Sequence, residues 1–406
     1  MQILSPSYIL TPETLLKEHA IAFEEKIVKI APLEELQNQF PDAEIIALKE
    51  HSLVMPGLIN AHVHIEFSAN KTTLSYGDFI NWLYSVIENR EKLINGCDAT
   101  CMSDAIEAML ESGITTFGAI SSHAMDLEAC AHAKQNVVFF NELIGSQAAM
   151  ADALFGDFLS RLEASKQIAR KGFHPAIAIH SPYSVHPVLI KKALEIVKRE
   201  NLPLSAHFME SQAEREWLDA SKGDFEEFFT KLLKQTANVS NAQEFLQHFK
   251  NTPALLTHAT KTTRQELETI AHDGHTIVHC PISNRLLGNG ALDLQALIEK
   301  NIPFVCATDG LSSNYKLDLF EEMKVALFIH TALPILDLAR RLLRSVTLDA
   351  AKALGLNTGA IEAGYNADML VIDLQEEPTE QLALHLILHR YNISKIFING
   401  QLVKEQ

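Results

Sequence analysis

Positive charge is in short supply in this sequence: 34 Lys and Arg stand against 51 Asp and Glu, a formal net charge of −17 at pH 7. Such a chain has no cationic surface to neutralise phosphates, so a nucleic-acid or anionic-membrane role is disfavoured and a small-molecule partner is the default expectation. Cysteine is scarce and odd in number, five in all (Cys97, Cys101, Cys130, Cys280, Cys306), which fits a reducing compartment better than a disulfide framework. Cys97 and Cys101 are spaced to share one face of a helix, but no second Cys or His pair follows at zinc-finger spacing, so they read as ordinary core thiols. No apolar run approaches the ~18 residues of a membrane helix, and the N-terminus has no basic segment followed by an apolar one. The expected location is the cytoplasm. No repeat at fixed period and no low-complexity tract is present, which sets aside solenoids and disordered linkers.

What the sequence does have is length, 406 residues with 47% hydrophobic side chains, enough for a large barrel with a satellite or for two to three ordinary domains. Short runs rich in β-branched and apolar residues alternate with longer stretches of helical period such as Ala105–Ser112, Leu189–Glu200 and Thr263–His272, a pattern that predicts parallel βαβ units. Eight candidate strands lie between residues 57 and 309: Leu58–His62, Ile114–Ile120, Asn136–Leu143, Ala176–His180, Leu204–Phe208, Ala254–His258, Thr276–Cys280 and Pro303–Thr308. Eight such units close a barrel. The ends of the chain differ: Ala20–Val28, Ala43–Leu48, Met369–Asp373 and Lys395–Val403 are short alternating runs, with Asn399 and Gly400 as a hairpin signal. The expected fold is therefore α/β, a (β/α)8 TIM barrel with a small β-sandwich built from both termini. The expected division is residues 1–54 and 356–406 for the sandwich and 55–355 for the barrel.

The positional pattern of polar residues carries the chemistry. Seven of the eight predicted strands end in groups that bind metal or move protons: His62 and His64, then Ser122 and His123, Glu142, His180, His207, His258 and Asp309. Any one of the 18 histidines is unremarkable alone, but the C-terminal ends of barrel strands are where active sites are built, and the joint pattern is hard to obtain by accident. His62 and His64, two apart, project to one face of an extended strand and can chelate one ion. His207 and Asp309 add a third nitrogen and a carboxylate oxygen while leaving a position for water, the arrangement of an activating rather than a structural metal site. Other metal signatures fail. His64-Ile65-Glu66 spells H-x-E without a later P-C-x-x-C; no H-E-x-x-H occurs; and His207-Phe208-Met209-Glu210 is followed by Ser211 where an inverted zinc-protease motif needs His.

The segment Pro56-Gly57-Leu58-Ile59-Asn60-Ala61-His62-Val63-His64, with the later His, His and Asp, resembles the amidohydrolase superfamily over essentially the whole chain. The tail Gly359-Ala360-Ile361-Glu362-Ala363-Gly364-Tyr365-Asn366-Ala367-Asp368 is similar to that family's return into its small sandwich. Binuclear members carry a carbamylated lysine at the end of the fourth strand; His180 stands there, so the resemblance implies one divalent metal, zinc first and iron second. The H-x-x-E of His207 and Glu210 resembles the deaminase branch, as do the segments around His279–Asn284 and Thr308–Asn314, and more narrowly the chain looks like the aminodeoxyfutalosine deaminases of menaquinone biosynthesis.

The resemblance implies three catalytic residues: Asp309 takes the proton of the attacking water, His258 hydrogen-bonds the developing oxyanion, and Glu210 protonates the purine N1. It also implies substrate contacts at Glu88, after the Trp82 helix, at His180, and at Ser283 and Asn284. A substrate benzoate calls for a guanidinium, for which Arg285, directly after Ser283 and Asn284, is the first candidate and Arg90 the second. Phe67, Tyr76, Phe79 and Trp82 can wall an aromatic pocket or merely pack a core. The expected partner is a nucleoside, with no nucleic acid or membrane, and a homodimer is admitted. Rival readings are deamination of methylthioadenosine, adenosylhomocysteine or adenosine, hydrolysis of a ring halide or cyclic amide, and a catalytically dead relative kept as a scaffold.

Overall fold

The computed structural model describes residues 1–389 and 391–405. Its centre is a sheet of eight strands, β1 (Leu58–Val63), β2 (Ile114–Ser121), β3 (Asn136–Leu143), β4 (Phe173–Ile179), β5 (Leu204–Phe208), β6 (Leu255–His258), β7 (Thr276–His279) and β8 (Phe304–Cys306), paired in chain order and all parallel. Each overlaps an expected strand, although β4 begins at Phe173 rather than Ala176 and β8 is shorter than Pro303–Thr308. The reason is the seam: past Ala307 the chain leaves β7 and crosses to β1, where Asp309 N donates to His62 O (3.2 Å) and the Asn60 side chain meets Thr308 N and Oγ1 (3.1 and 2.7 Å). The seam thus joins the two segments that carry His62 and Asp309.

Helices clothe the sheet, each ended by local chemistry. Pro187–Glu200 begins with proline in its first turn, buries Leu189, Ile190, Ala193, Leu194, Ile196 and Val197 along one stripe, and stops at Asn201 in the left-handed region. Arg264–Asp273 starts with a capping box between Thr263 and Glu266 and ends at Gly274. The paired cysteines do not share a helix: Cys97 ends Arg90–Gly96, and Cys101 sits in Ala99–Glu111, which Asp98 caps anew.

Strand pleating decides which side chains reach the barrel interior. Ile59, Ala61, Val138, Phe140, Ala176, Ala178, Leu255, Val278, Val305 and Ala307 form one buried cluster, joined by Ala350, Ala351 and Leu354 from the segment after the last barrel helices. Continuing those alternations carries Glu142, His180 and Asp309 inward at the strand ends, and His207 likewise stands out of step with the outward Leu204, Ala206 and Phe208. Strand β1 needs a correction to its alternation. Asn60 pairs with Phe117 and Val63 with Ala119, three residues against two, and this bulge sends Val63 and Ile65 into the outer core while His62 and His64 turn in. His258 follows the inward Thr257 and would point out, but left-handed backbone at His258 (φ 75°) and Ala259 (φ 52°) returns it to the mouth.

The chain ends form two further sheets. Ile27–Ala31, Ala20–Phe23, Gln2–Ser5 and Glu44–Ala47 make one; Gln401–Glu405, Asn392–Ile398, Met369–Asp373, Ser52–Pro56, Tyr8–Leu10 and Leu15–Lys17 make the other, so the second combines both termini. Leu4, Ile9, Ile21, Phe23, Val54, Met369, Val371 and Phe397 pack between them, Phe23 meeting Phe397 edge-on at 5.5 Å. The run Ala20–Val28 is two strands rather than one, broken at residues 24–26. The hairpin turn falls where expected, with Asn399 and Gly400 both left-handed (φ 48° and 75°); a Cβ on Gly400 would lie 1.6 Å from Glu24 O. Among the described residues no helix is long and apolar enough to cross a membrane.

Candidate metal centre and active site

Four side chains converge at the barrel mouth. His62, His64 and His207 place ring nitrogens within 4.8 Å of one another. His64 Nε2 lies 3.4 Å from His207 Nε2, and Asp309 Oδ1 lies 3.7 Å from His62 Nε2 and 3.6 Å from His64 Nε2. His207 Nδ1 faces the His180 carbonyl at 3.1 Å; a carbonyl only accepts, so the proton sits on Nδ1 and the Nε2 lone pair points into the cluster. His62 Nε2 is buried with no hydrogen-bond partner. Burial lowers the pKa of all three imidazoles and so keeps them neutral, the form that binds a cation. An orphaned buried nitrogen, a fixed tautomer and a carboxylate oxygen aimed at the same point fit a divalent ion.

Asp309 is held from behind. Its Oδ2 accepts from Ser283 Oγ (2.8 Å) and Ser313 Oγ (2.7 Å), and Oδ1 accepts from Gly310 N (2.9 Å). Burial pushes its pKa up, but His62, His64 and His258 outweigh it and leave the carboxyl well below its usual range. Gly310 allows the close approach of this loop to β1, since a Cβ there would stand 2.8 Å from His64 Cβ and 2.9 Å from His64 O.

Glu210 is the opposite kind of acid. Burial first, then the charges of Asp309 and Glu214, push its pKa well above the carboxylate range, with Asn289 (Nδ2 to Oε1, 3.3 Å) opposing. The elbow that presents it is locked by Glu214, whose carboxylate accepts from Met209 N (3.1 Å) and Glu210 N (2.7 Å), while Ser211 caps the helix Gln212–Ala220. His258 Nε2 stands between the two acids, 3.5 Å from Glu210 Oε1 and 4.0 Å from Asp309 Oδ2, and its Nδ1 meets Asn284 Oδ1 at 2.8 Å. A carboxyl with a raised pKa, one with a lowered pKa and an imidazole thus face one space beside the histidine cluster.

The remaining expected contacts are less concentrated. Ser283 and Asn284 are buried and bonded to Asp309 and His258. His180 is half-buried, its Nδ1 tied to Ser184 Oγ (2.6 Å) and Ser181 Oγ (3.0 Å), which leaves its other nitrogen for a ligand. Glu88 is the exposed last residue of the helix Phe79–Glu88; Arg285 is exposed; Arg90, also exposed, meets His123 Nε2 at 2.9 Å. Trp82 Nε1 donates to Ser312 O (2.8 Å) and Asn70 Nδ2 to Leu311 O (2.8 Å), so the aromatic segment is fastened to the loop after Asp309. Ser313, Asn289 and Glu214 were not singled out as site residues from the sequence. Ser313 lay inside the Thr308–Asn314 segment that carried the resemblance; for the other two no pattern in the sequence points to the contact.

Comparison with known proteins gives a consistent picture. The sequence profile described as "Amidohydrolase family" matches residues 53–403. The chain is 47% identical over 403 residues to the aminodeoxyfutalosine deaminase of a Nitratiruptor species, covering 99% of each chain, and 35% identical over 395 residues to an adenosine deaminase of Helicobacter pylori, covering 96% of this chain and 95% of that one. The crystal structure of H. pylori aminofutalosine deaminase in complex with methylthio-coformycin superposes with a TM-score of 0.94 at 33% identity, covering 100% of both chains.

Proposed function

The chain belongs to the amidohydrolase family, and from that premise we propose that it hydrolyses the 6-amino group of aminodeoxyfutalosine, releasing ammonia and leaving futalosine. The observation that carries the reading is a buried Glu210, its pKa pushed up by burial, beside His258 at 3.5 Å and next to a convergent His62, His64, His207 and Asp309 set, in a chain 47% identical end to end to an aminodeoxyfutalosine deaminase. The ion in that set is zinc in this proposal, although imidazole and carboxylate donors accept iron as well. A divalent ion held there acidifies water and so makes a hydrolytic nucleophile available at neutral pH.

The residues of the chain then divide the proton traffic. Asp309, ionised and braced by two serines, takes the proton of the attacking water. Glu210, whose pKa burial pushes up, delivers a proton to the ring nitrogen N1 as C6 becomes tetrahedral. His258, between them, stabilises the oxygen where negative charge develops. Asp309 then passes its proton to the amino group so that ammonia leaves, and the C6 hydroxyl gives its proton back to Glu210 as the ring carbonyl forms. Ser283 and Asn284 orient Asp309 and His258, and His180 and Glu88 contact the nucleoside. A carboxylate on the 5′ side meets the exposed Arg285, with Arg90 the second candidate.

A spectrophotometric screen tests this reading: zinc-loaded protein against aminodeoxyfutalosine, methylthioadenosine, adenosylhomocysteine, adenosine, guanine and cytosine. Preference for aminodeoxyfutalosine is the expected result. Activity confined to other adenosine derivatives would keep the chemistry and overturn the substrate, and silence on every amine would overturn both.

A further inference from the structure

One buried acid at the mouth has no part in this proton traffic. Glu142, at the end of β3, is 1% exposed and points into the barrel. Its Oε2 accepts from Ser122 Oγ at 2.5 Å, whereas Oε1 is buried without a partner. An unpaired carboxylate oxygen in such a place is costly and calls for a reason. Its surroundings give one: Oε1 lies 3.8 Å from His207 Nδ1, and Glu142, His180 and His207 place ligand atoms within 4.8 Å of one another. At 3.8 Å this is a charge contact rather than a hydrogen bond, since His207 Nδ1 already donates to His180 O.

The carboxylate is aimed there by a chain of contacts that starts beside the ligands. Glu66, two residues after His64, accepts from Ser122 N (3.0 Å), His123 N (2.9 Å) and Met125 N (3.1 Å), fixing the loop after β2. That loop presents Ser122, and Ser122 holds Glu142. Two buried carboxylates thus link the strand of His62 and His64 to the strand of His207 around the side of the barrel opposite Asp309.

We propose that Glu142 is a positioning residue for the metal centre: its free oxygen places negative charge behind the His207 imidazole and strengthens that ring as a metal ligand. The inference rests on His207 being a ligand. Burial pushes the Glu142 pKa up, with His64 and the Ser122 hydroxyl opposing; a divalent ion held by three neutral imidazoles and Asp309 would carry one uncompensated positive charge, which favours the Glu142 carboxylate at close range in a water-poor pocket. Carboxylates behind ligating histidines shift metal affinity by about 10- to 100-fold.

The test is chelator competition for zinc on the folded protein, with stoichiometry and KM measured on the same samples. Glu142→Gln, which keeps shape and removes charge, should weaken zinc binding about 10- to 100-fold with one ion per chain at saturation. KM for the nucleoside should hold once the site is full. Ser122→Ala, which frees the carboxylate to turn away, should weaken it in the same direction by less, and it serves as the readout if the glutamine variant does not fold. Wild-type affinity in both variants would overturn the inference while leaving the metal reading intact, because wild-type protein would still bind its ion. A raised KM with unchanged zinc affinity would make Glu142 a substrate contact instead. A fall from two ions to one would make it a ligand of a second ion. Absence of stoichiometric zinc from the wild type would instead sink the metal reading itself.

Discussion

The barrel mouth and the terminal sandwich treat buried polar groups in opposite ways. In the sandwich, buried Asp368 is fully employed: Oδ2 accepts from Asn136 Nδ2 (3.0 Å) and Thr358 Oγ1 (2.7 Å), Oδ1 accepts from Asn399 N (2.6 Å), and Asn399 Nδ2 also reaches Asn136 Oδ1 (2.9 Å). Asn136 is the first residue of β3, so this network fastens the sandwich to the end of the barrel away from the mouth. All ten buried side-chain atoms without a partner among the described residues fall between Asn60 and Leu287, and three of them, His62 Nε2, Glu142 Oε1 and Asn284 Nδ2, gather at the mouth. Satisfied buried polar groups hold structure; unsatisfied ones that converge are held ready for something that binds.

If that contrast is sound, the largest effects belong to the mouth. Asp309→Asn and Glu210→Gln should each cut kcat/KM by about 10^2- to 10^4-fold, the usual worth of a positioned acid or base, with a melting temperature close to wild type in the zinc-loaded Glu210 variant. Steady-state kinetics beside calorimetry checks both. An equally large fall in stability would erase the distinction between the regions.

Asp368→Asn should do the reverse. Loss of a buried acceptor should destabilise by about 1–3 kcal/mol, read by denaturant titration, with zinc stoichiometry unchanged and kcat changed little. A collapse of kcat at a temperature where the variant is folded would show that the sandwich shapes the mouth.

A smaller effect sharpens the account of Glu210. The charge of Glu214 helps hold the Glu210 pKa up, and Glu214 is itself raised to about 7 by burial. Glu210 must be protonated to act, so activity falls as pH rises through its pKa. Glu214→Gln removes a negative neighbour, lowers that pKa and should move the alkaline limb of the kcat/KM profile to lower pH. A limb that stays in place would mean another group sets it.

The smallest expected effect lies outside both regions. His279 lacks the backbone twist of His258, faces away from the mouth, and meets His330 with Nε2 atoms 2.9 Å apart, so one ring must donate and the other accept. Burial lowers His330 to about 4 from 6.5. The unfolded chain binds the extra proton between those values, so this contribution is complete above pH 6.5 and fades as pH falls toward about 4. His330→Gln should lose less stability than wild type between about pH 6.5 and 4.5 in thermal melts, and a parallel decline would contradict the assignment.

The legibility of the molecule follows from what each feature depends on. Strands β3 and β5 stand at their expected ends because a buried parallel strand is a continuous apolar run. The convergent residues were visible because they close such runs. The bulge that turns His62 inward and the left-handed backbone that returns His258 were not, since neither leaves a periodic trace. Ser313, Asn289 and Glu214 were hidden for a related reason: their contacts depend on loop paths. Glu88 and Arg285 came from resemblance alone and lie exposed, where substrate rather than the fold must define their role.

The most direct test is a zinc titration of metal-free protein with ammonia release from aminodeoxyfutalosine as the readout. Activity should rise linearly and level off at one equivalent per chain, while Glu210→Gln binds the same equivalent and releases essentially no ammonia. Full activity without metal, a plateau at two equivalents, or an active Glu210→Gln would contradict a one-metal deaminase that works through a proton-holding glutamate.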